Sequence, residues 1–335
     1  MHVWMPTIRG YSGSDVFVER LAAGLRSRGV IVTVDWFDRR YEFMPSVLAS
    51  RRAPAGVDLI HASSLNGFAF RGHGLPLIVT EHHFVLDPAY RRYKSPLQHL
   101  YHRLVTGRAS VRSMRVADAL VVHSRFVAAT VRAAGSRVEP IVAPLWVDLE
   151  RFTPGPSRTR ADGPMRLLFV GNTSRRKGFD VVVELARRLG DTVSISCTGG
   201  LRGRDGGGLP GNIRFLGRLS EDGLVAAYRD NDVALVPSRY EGFGYAALEG
   251  MACGKPVLGF ACGSVEEIVE DGRSGFLYPV DDVDSLERGA RELALAPALR
   301  IEMGLAGRAD AERRFSPDIG IDAYFGAYRD VTRST

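Results

Sequence analysis

The feature that most constrains this chain is a pattern that runs once, stops, and runs again. Short apolar runs at 30–35 (VIVTVD), 58–61 (DLIH), 77–80 (LIVT), 119–122 (ALVV) and 139–142 (EPIV) are separated by stretches long enough for crossovers. An opening run at 2–5 (HVWM) predicts a first strand whose end Pro6 obscures. Between it and VIVTVD, residues Val16, Phe17, Leu21 and Leu25 recur at helical spacing. The segment 153–165 (TPGPSRTRADGPM) then interrupts with three prolines and two glycines, the composition of a linker. After it the pattern restarts. Strands are expected at 166–170, 193–197, 213–216, 233–236 and 256–259, and helices at 178–189, 220–229, 244–252 and 284–295. Short strands alternating with helices predict parallel sheets with crossover helices. The expected fold is therefore α/β, with two Rossmann-like, doubly wound domains at 1–155 and 156–316 facing across a cleft. A striped segment at 317–330, with Ile321, Tyr324, Phe325 and Tyr328 at helical spacing, either finishes the second domain or packs back on the first.

Composition narrows the class. Of the 335 residues, 45% are apolar and 24% charged, the balance of a soluble globular protein. No stretch approaches the roughly 20 apolar residues that span a bilayer. The opening MHVWMPTIRG lacks a basic region followed by an apolar one, so no secretory signal is expected. Three cysteines, Cys197, Cys253 and Cys262, have no paired metal-ligand spacing, which suits a reducing cytoplasm. A net charge of +6 and a pI near 9.4 attract anions: nucleic acid, anionic lipid or phosphorylated small molecules. Nucleic acid is the poorest fit, because the basic residues are not interleaved with stacking aromatics and no recognised module is present.

The most informative segment is 237–257, PSRYEGFGYAALEGMACGKPV, directly after the apolar run VALV. It reads as a strand, a glycine-bearing loop and a helix beginning near Gly244. Gly242 and Gly244 let backbone approach a ligand, and the helix start offers unpaired N–H groups to an anion. Glu241 lies just outside that start and Glu249 more than a turn inside it. Carboxylates on both sides of a phosphate cradle can accept hydrogen bonds from two sets of hydroxyls, one on a sugar and one on a ribose.

This stretch resembles the signature of glycosyltransferase family 4, among the group 1 glycosyl transferases, whose Glu-x7-Glu motif matches Glu241 and Glu249. The continuation through ALEGMACGKPV and EEIVEDGRSGFLYPVDD follows the same pattern in order. The resemblance implies a GT-B fold, an N-terminal acceptor-binding domain and a C-terminal domain for a nucleotide diphosphate sugar. It implies a retaining hexosyl transfer to a lipid, glycan or small-molecule acceptor, without a metal or other cofactor. Glu241 would hold sugar hydroxyls, Glu249 the ribose, and Ser238, Gly242, Phe243 and Gly244 would complete the donor cradle. A GT-B sugar-nucleotide epimerase is the alternative within enzymes, and a basic nucleic-acid-binding protein the alternative outside them.

Other segments carry the resemblance less densely. In GNTSRRKGFD, Lys177 and Gly178 match the family's Lys-Gly, and the lysine can neutralise a leaving diphosphate. Asn172 stands where the family commonly has arginine, so either Arg175 or Arg176 supplies the second charge or the diphosphate is held by one cation plus helix dipoles. YSGSDVFVERLAAGLRSRG resembles the opening loop and helix, which carries over to Gly13 alone. Thr80-Glu81-His82 ends a strand where the family commonly has Thr-x-His, which would set His82 towards the transferred sugar, and DLIHASS places His61 in a similar loop. Gly199 and Gly200 open a glycine-heavy loop expected near the nucleotide, and Leu216 to Arg218 fall where the family presents backbone to the base. Asp282-Val283-Asp284 imitates a metal-binding Asp-x-Asp, but its position before a helical run predicts a cap.

Residues 90–115 hold seven lysines and arginines and no acid: Arg91, Arg92, Lys94, Arg103, Arg108, Arg112 and Arg115. Leu97, Leu100, Tyr101 and Leu104 share a helical face. An amphipathic basic helix of this kind can lie on an anionic membrane, which predicts peripheral attachment at the inner face. The alternative is a helix packing that face on the sheet while its arginines meet a soluble anion.

Overall fold

In the N-terminal part, buried runs of Leu, Ile and Val leave the chain little choice but parallel strands covered on both faces. A computed structural model describes residues 1–11, 13–155, 163–199 and 208–333. Ser12, most of the expected linker and the Gly200 loop lie outside the described residues. The chain divides into two compact units, Met1–Leu145 with Pro317–Thr335, and Trp146–Ser316.

The first unit contains β1 (His2–Ile8), α1 (Gly13–Ser27), β2 (Ile31–Phe37), β3 (Leu59–Ser63) and β4 (Leu77–Glu81). These are followed by α2 (Pro88–Arg91), α3 (Pro96–Tyr101), α4 (Gly107–Val116), β5 (Ala119–Val122), α5 (Arg125–Ala133) and β6 (Pro140–Val142). All strand pairs are parallel, in the order β2-β1-β3-β4-β5-β6. Pro6 does not end β1. It pairs with Asp35 of β2, while the β3 side of the ladder has already stopped at Trp4, so no donor is needed there. Its carbonyl accepts a 2.9 Å hydrogen bond from Asn66 Nδ2.

The second unit contains β7 (Met165–Phe169), α6 (Phe179–Leu189), β8 (Val193–Thr198), β9 (Ile213–Gly217), α7 (Glu221–Asp230) and β10 (Val233–Val236). It continues through α8 (Tyr245–Ala252), β11 (Val257–Phe260), α9 (Val265–Ile268), β12 (Gly275–Tyr278), α10 (Val283–Leu295) and α11 (Pro297–Arg314). Its parallel order is β12-β11-β10-β7-β8-β9. Strand order reverses beside β7, between β7 and β10. Open sheets of this type bind ligands outside the strands' carboxyl ends at such a switch point.

The last helix, α12 (Pro317–Arg333), belongs to the first unit. Ile321 fills the space a side chain at Gly24 of α1 would need, and Arg28 bridges to Asp318 at 2.7 Å and Asp322 at 2.8 Å. The Tyr328 hydroxyl and His61 Nδ1 share a hydrogen bond at 2.7 Å, and His61 Nε2 meets Thr80 Oγ1 at 2.7 Å. Thr80 Oγ1 is also 3.2 Å from Tyr324 of α12. His61 is thus a structural histidine inside the unit, and burial drives its pKa down to about 3.

The basic segment 90–115 is not one amphipathic helix. Proline starts both α2 and α3, and α3 runs through a π-helical turn, His102–Thr106, before α4 begins at Gly107. Leu97, Leu100 and Leu104 are exposed, Leu97 to 77%, so they do not pack on the sheet. Among the described residues, no helix is long and apolar enough to cross a membrane.

Candidate active site

Two loops meet at the switch point of the second unit. The first follows β7 and carries Gly171, Asn172 and the turn Arg175–Lys177. The second follows β10 and carries Ser238 through Gly244. Their approach depends on Gly178, whose φ of +76° suits glycine and whose Cβ, if present, would collide with the Pro237 carbonyl. The backbone then joins directly: Arg239 N–H donates to Arg176 O at 2.8 Å.

Arg239 secures the same junction. Its guanidinium makes two bonds to Asp180, at 2.6 and 2.9 Å, one to Asp281 at 2.5 Å and one to Arg175 O at 2.6 Å. It was not singled out in the sequence, because its partners lie 42 to 64 residues away.

The result is a carboxylate between two cations. Lys177 Nζ hydrogen-bonds Glu241 Oε1, and Arg176 Nη1 lies 3.7 Å from Oε2. Ser238 Oγ donates to Oε1 at 3.0 Å. Glu241 is only 7% exposed. Burial alone would raise its pKa, but Lys177, then Arg176, then the hydrogen bonds outweigh it and hold the group below the usual carboxylate range. The carboxylate is ionised at neutral pH. Arg176 also donates to Tyr240 O at 3.0 Å, and Glu241 O accepts from Ser264 N–H at 3.3 Å.

Gly244, at φ +101°, caps α8, which starts at Tyr245 as the glycine pattern predicts. Phe243 turns its ring into the unit, 5.6 Å from Tyr245 and 5.9 Å from Phe315, so only its backbone can serve a ligand at this loop. Glu249 sits inside α8, 8% exposed, and accepts a 3.2 Å hydrogen bond from the Tyr228 hydroxyl. Asn172 is exposed and accepts from Ser174 N–H at 3.2 Å, a local turn rather than a bond to Glu241 or Lys177. Gly199, at φ +85°, follows β8 with Gly171 O close beside it, which puts it next to the first loop. Asp282 caps α10 by accepting from Ser285 N–H at 3.0 Å, the role expected of it.

The first unit carries a separate group at the carboxyl ends of its strands. Gly13 begins α1 with open space where a side chain would project. Asp15, unnoticed in the sequence, fixes the loop before it by accepting from Gly10 N–H at 3.0 Å and Tyr11 N–H at 2.9 Å. His82 follows β4, its Nδ1 2.8 Å from Nε2 of His123, which follows β5. Burial lowers the His82 pKa to about 4. The neighbouring Glu81 is also buried, which raises its carboxyl to about 7 despite hydrogen bonds from Ser110 and Ser64.

This geometry has relatives. A family model described as glycosyl transferases group 1 matches residues 156–310, and one described as glycosyltransferase family 4 matches residues 35–151. The chain belongs to this glycosyltransferase family. The D-inositol 3-phosphate glycosyltransferase of Geodermatophilus obscurus is 29% identical to this glycosyltransferase over 384 aligned positions, 94% of this chain and 84% of the relative. The solved sucrose-phosphate synthase of Thermosynechococcus elongatus shares the GT-B fold with a TM-score of 0.84 at 20% identity, covering 99% and 100% of the two chains. Anabaena HepE, solved in complex with UDP and glucose, gives 0.77 at 18% identity, covering 98% of this glycosyltransferase and 99% of HepE.

Proposed function

We propose that this glycosyltransferase moves a hexosyl group from a nucleotide diphosphate sugar to an acceptor hydroxyl with retention, and that protein cations take the place of a metal ion. The observation that carries the reading is the convergence of Lys177, Arg176 and Glu241 at a sheet switch point. As the bond from sugar to phosphate breaks, negative charge grows on the departing diphosphate. Lys177 and Arg176 are held where the carboxylate now occupies them. A diphosphate entering the site competes for the same cations, and Glu241 is released to accept from sugar hydroxyls. Preset cations and the start of α8 then stabilise the leaving group without reorganising water. Glu249 takes the ribose hydroxyls, with Ser238, Gly199, Gly242, Phe243 backbone and Gly244 lining the donor. Gly13, Asn172 and His82 complete the proposed set.

UDP-sugars are the first donors to test, because HepE was solved with UDP, and D-inositol 3-phosphate is the first acceptor, because relatives carry that name. A thermal-shift screen over UDP-, GDP- and ADP-sugars tests donor binding, since a ligand bound only by the folded state raises the melting temperature. One base should stabilise the protein clearly above the others. No shift with any nucleotide sugar at millimolar concentration would overturn the reading.

The exposed leucines of 97–104 support peripheral contact with an anionic membrane. Phe43 packs its ring 5.6 Å from Tyr101, which brings the exposed Phe43 and Met44 beside this basic segment.

A further inference from the structure

His82 and His123 are neighbours for a reason set by the sheet. β4 and β5 run parallel with Glu81 opposite Val122, so the next residue on each strand stands beside the other. Phe17 of α1 holds both imidazoles, with ring centroids 5.1 Å from His82 and 5.0 Å from His123. His123 is 1% exposed, and its Nδ1 lies 3.2 Å from the Ala143 carbonyl oxygen.

That carbonyl can only accept, so the Nδ1 of His123 carries its proton. The Nε2 of a neutral His123 then has a lone pair, and the 2.8 Å bond across to His82 requires His82 Nδ1 to donate. Protons are thereby fixed along the chain from Ala143 outward, and His82 Nε2 is left with a lone pair. Among the described residues no protein group bonds this nitrogen, and it is not sealed from solvent. Burial keeps both rings neutral at ordinary pH, lowering His123 well below the usual histidine range.

We propose that His123 is a positioning residue: it locks His82 as the Nδ1–H tautomer, so that His82 presents only a hydrogen-bond acceptor to the bound ligand. An acceptor of this kind takes a hydroxyl and rejects an ionised phosphate oxygen, which has no proton to give. His82 is therefore matched to a sugar or acceptor hydroxyl and not to the diphosphate. This inference rests on the glycosyl-transfer reading for its consequence in turnover, though the tautomer itself does not.

The test uses the full chain labelled with 15N-histidine, with the His82 signals identified by comparison with His82→Gln. In the wild type, long-range proton–nitrogen correlations should show His82 protonated at Nδ1. His123→Leu removes the acceptor, should move His82 towards the Nε2–H form, and should lower kcat for transfer about tenfold or more. His123→Gln retains an oxygen that can accept from Nδ1, and should keep both the tautomer and turnover within about threefold of wild type. Its retention of activity also separates positioning from a folding defect in the leucine variant. An Nε2–H His82 in the wild type, or full turnover in a folded His123→Leu, overturns the proposal. Absence of transfer by the wild type from every nucleotide sugar instead overturns the glycosyl-transfer reading, while the ligand-free spectrum still decides the His82–His123 pairing.

Discussion

Glu241 is a buried carboxylate whose pKa burial raises and the charges of Lys177 and Arg176 lower, with the lowering prevailing. In the proposed mechanism a diphosphate would compete with Glu241 for both cations, and a sugar would compete with the cations for Glu241. Replacing Glu241 with Gln preserves shape but removes the charge that sugar hydroxyls would meet, and it leaves Lys177 without its partner. We expect initial-rate assays on Glu241→Gln to show transfer reduced about 10²-fold or more, a loss of roughly 3 kcal/mol of transition-state stabilisation. The melting temperature should change little, because the partly exposed Lys177 and Arg176 can be solvated. Near-normal turnover would remove Glu241 from the site. Glu241 and Glu249 were legible in the sequence because one motif holds them, and Lys177 because a second, Lys-Gly, marks it. Arg239 and His123 were not, because each acts through partners brought near only by the sheet.

At the scale of elements, most strands were readable to within two residues, since buried parallel strands are continuous apolar runs. β12 escaped notice because GFLY is short and only its glycine is buried. α11 escaped because few of its residues are both apolar and buried. The segment 90–115 was misread as one regular helix, although Pro96 marks where a new helix starts, and that helix then passes through a π-helical turn before Gly107. Leu97, Leu100 and Leu104 are exposed in this basic segment, a composition suited to anionic lipid. Each surface cation is worth about 1 kcal/mol there and is screened by salt. In liposome co-sedimentation, binding should rise with anionic lipid content and fall when Leu97 and Leu100 are both changed to Gln. Equal binding to neutral and anionic vesicles would contradict the membrane reading.

For the whole molecule, buried titratable groups set opposing pH dependences. The folded-state pKa of Glu81 is near 7, above its ordinary 4.5, so the folded protein binds more protons than the unfolded chain between those values. Stability from this group therefore falls as pH rises from about 4.5 to 7, by about 3 kcal/mol. His61 and His82, at about 3 and 4, act the other way: unfolding takes up protons below pH 6.5, so acid destabilises. Glu81→Gln isolates the first effect. The melting temperature of this variant relative to wild type should rise between pH 5 and pH 8, and a difference independent of pH would show that Glu81 is not held protonated.

Protein cations at the switch point, and not a bound divalent ion, are proposed to carry the departing diphosphate. This is tested most directly by the initial rate of sugar transfer in excess EDTA, for wild type and for Lys177→Ala. The wild-type rate should be unchanged by chelation and the Lys177→Ala rate lower by about 10²-fold. A wild-type enzyme that is inert in EDTA and restored by magnesium or manganese would contradict it.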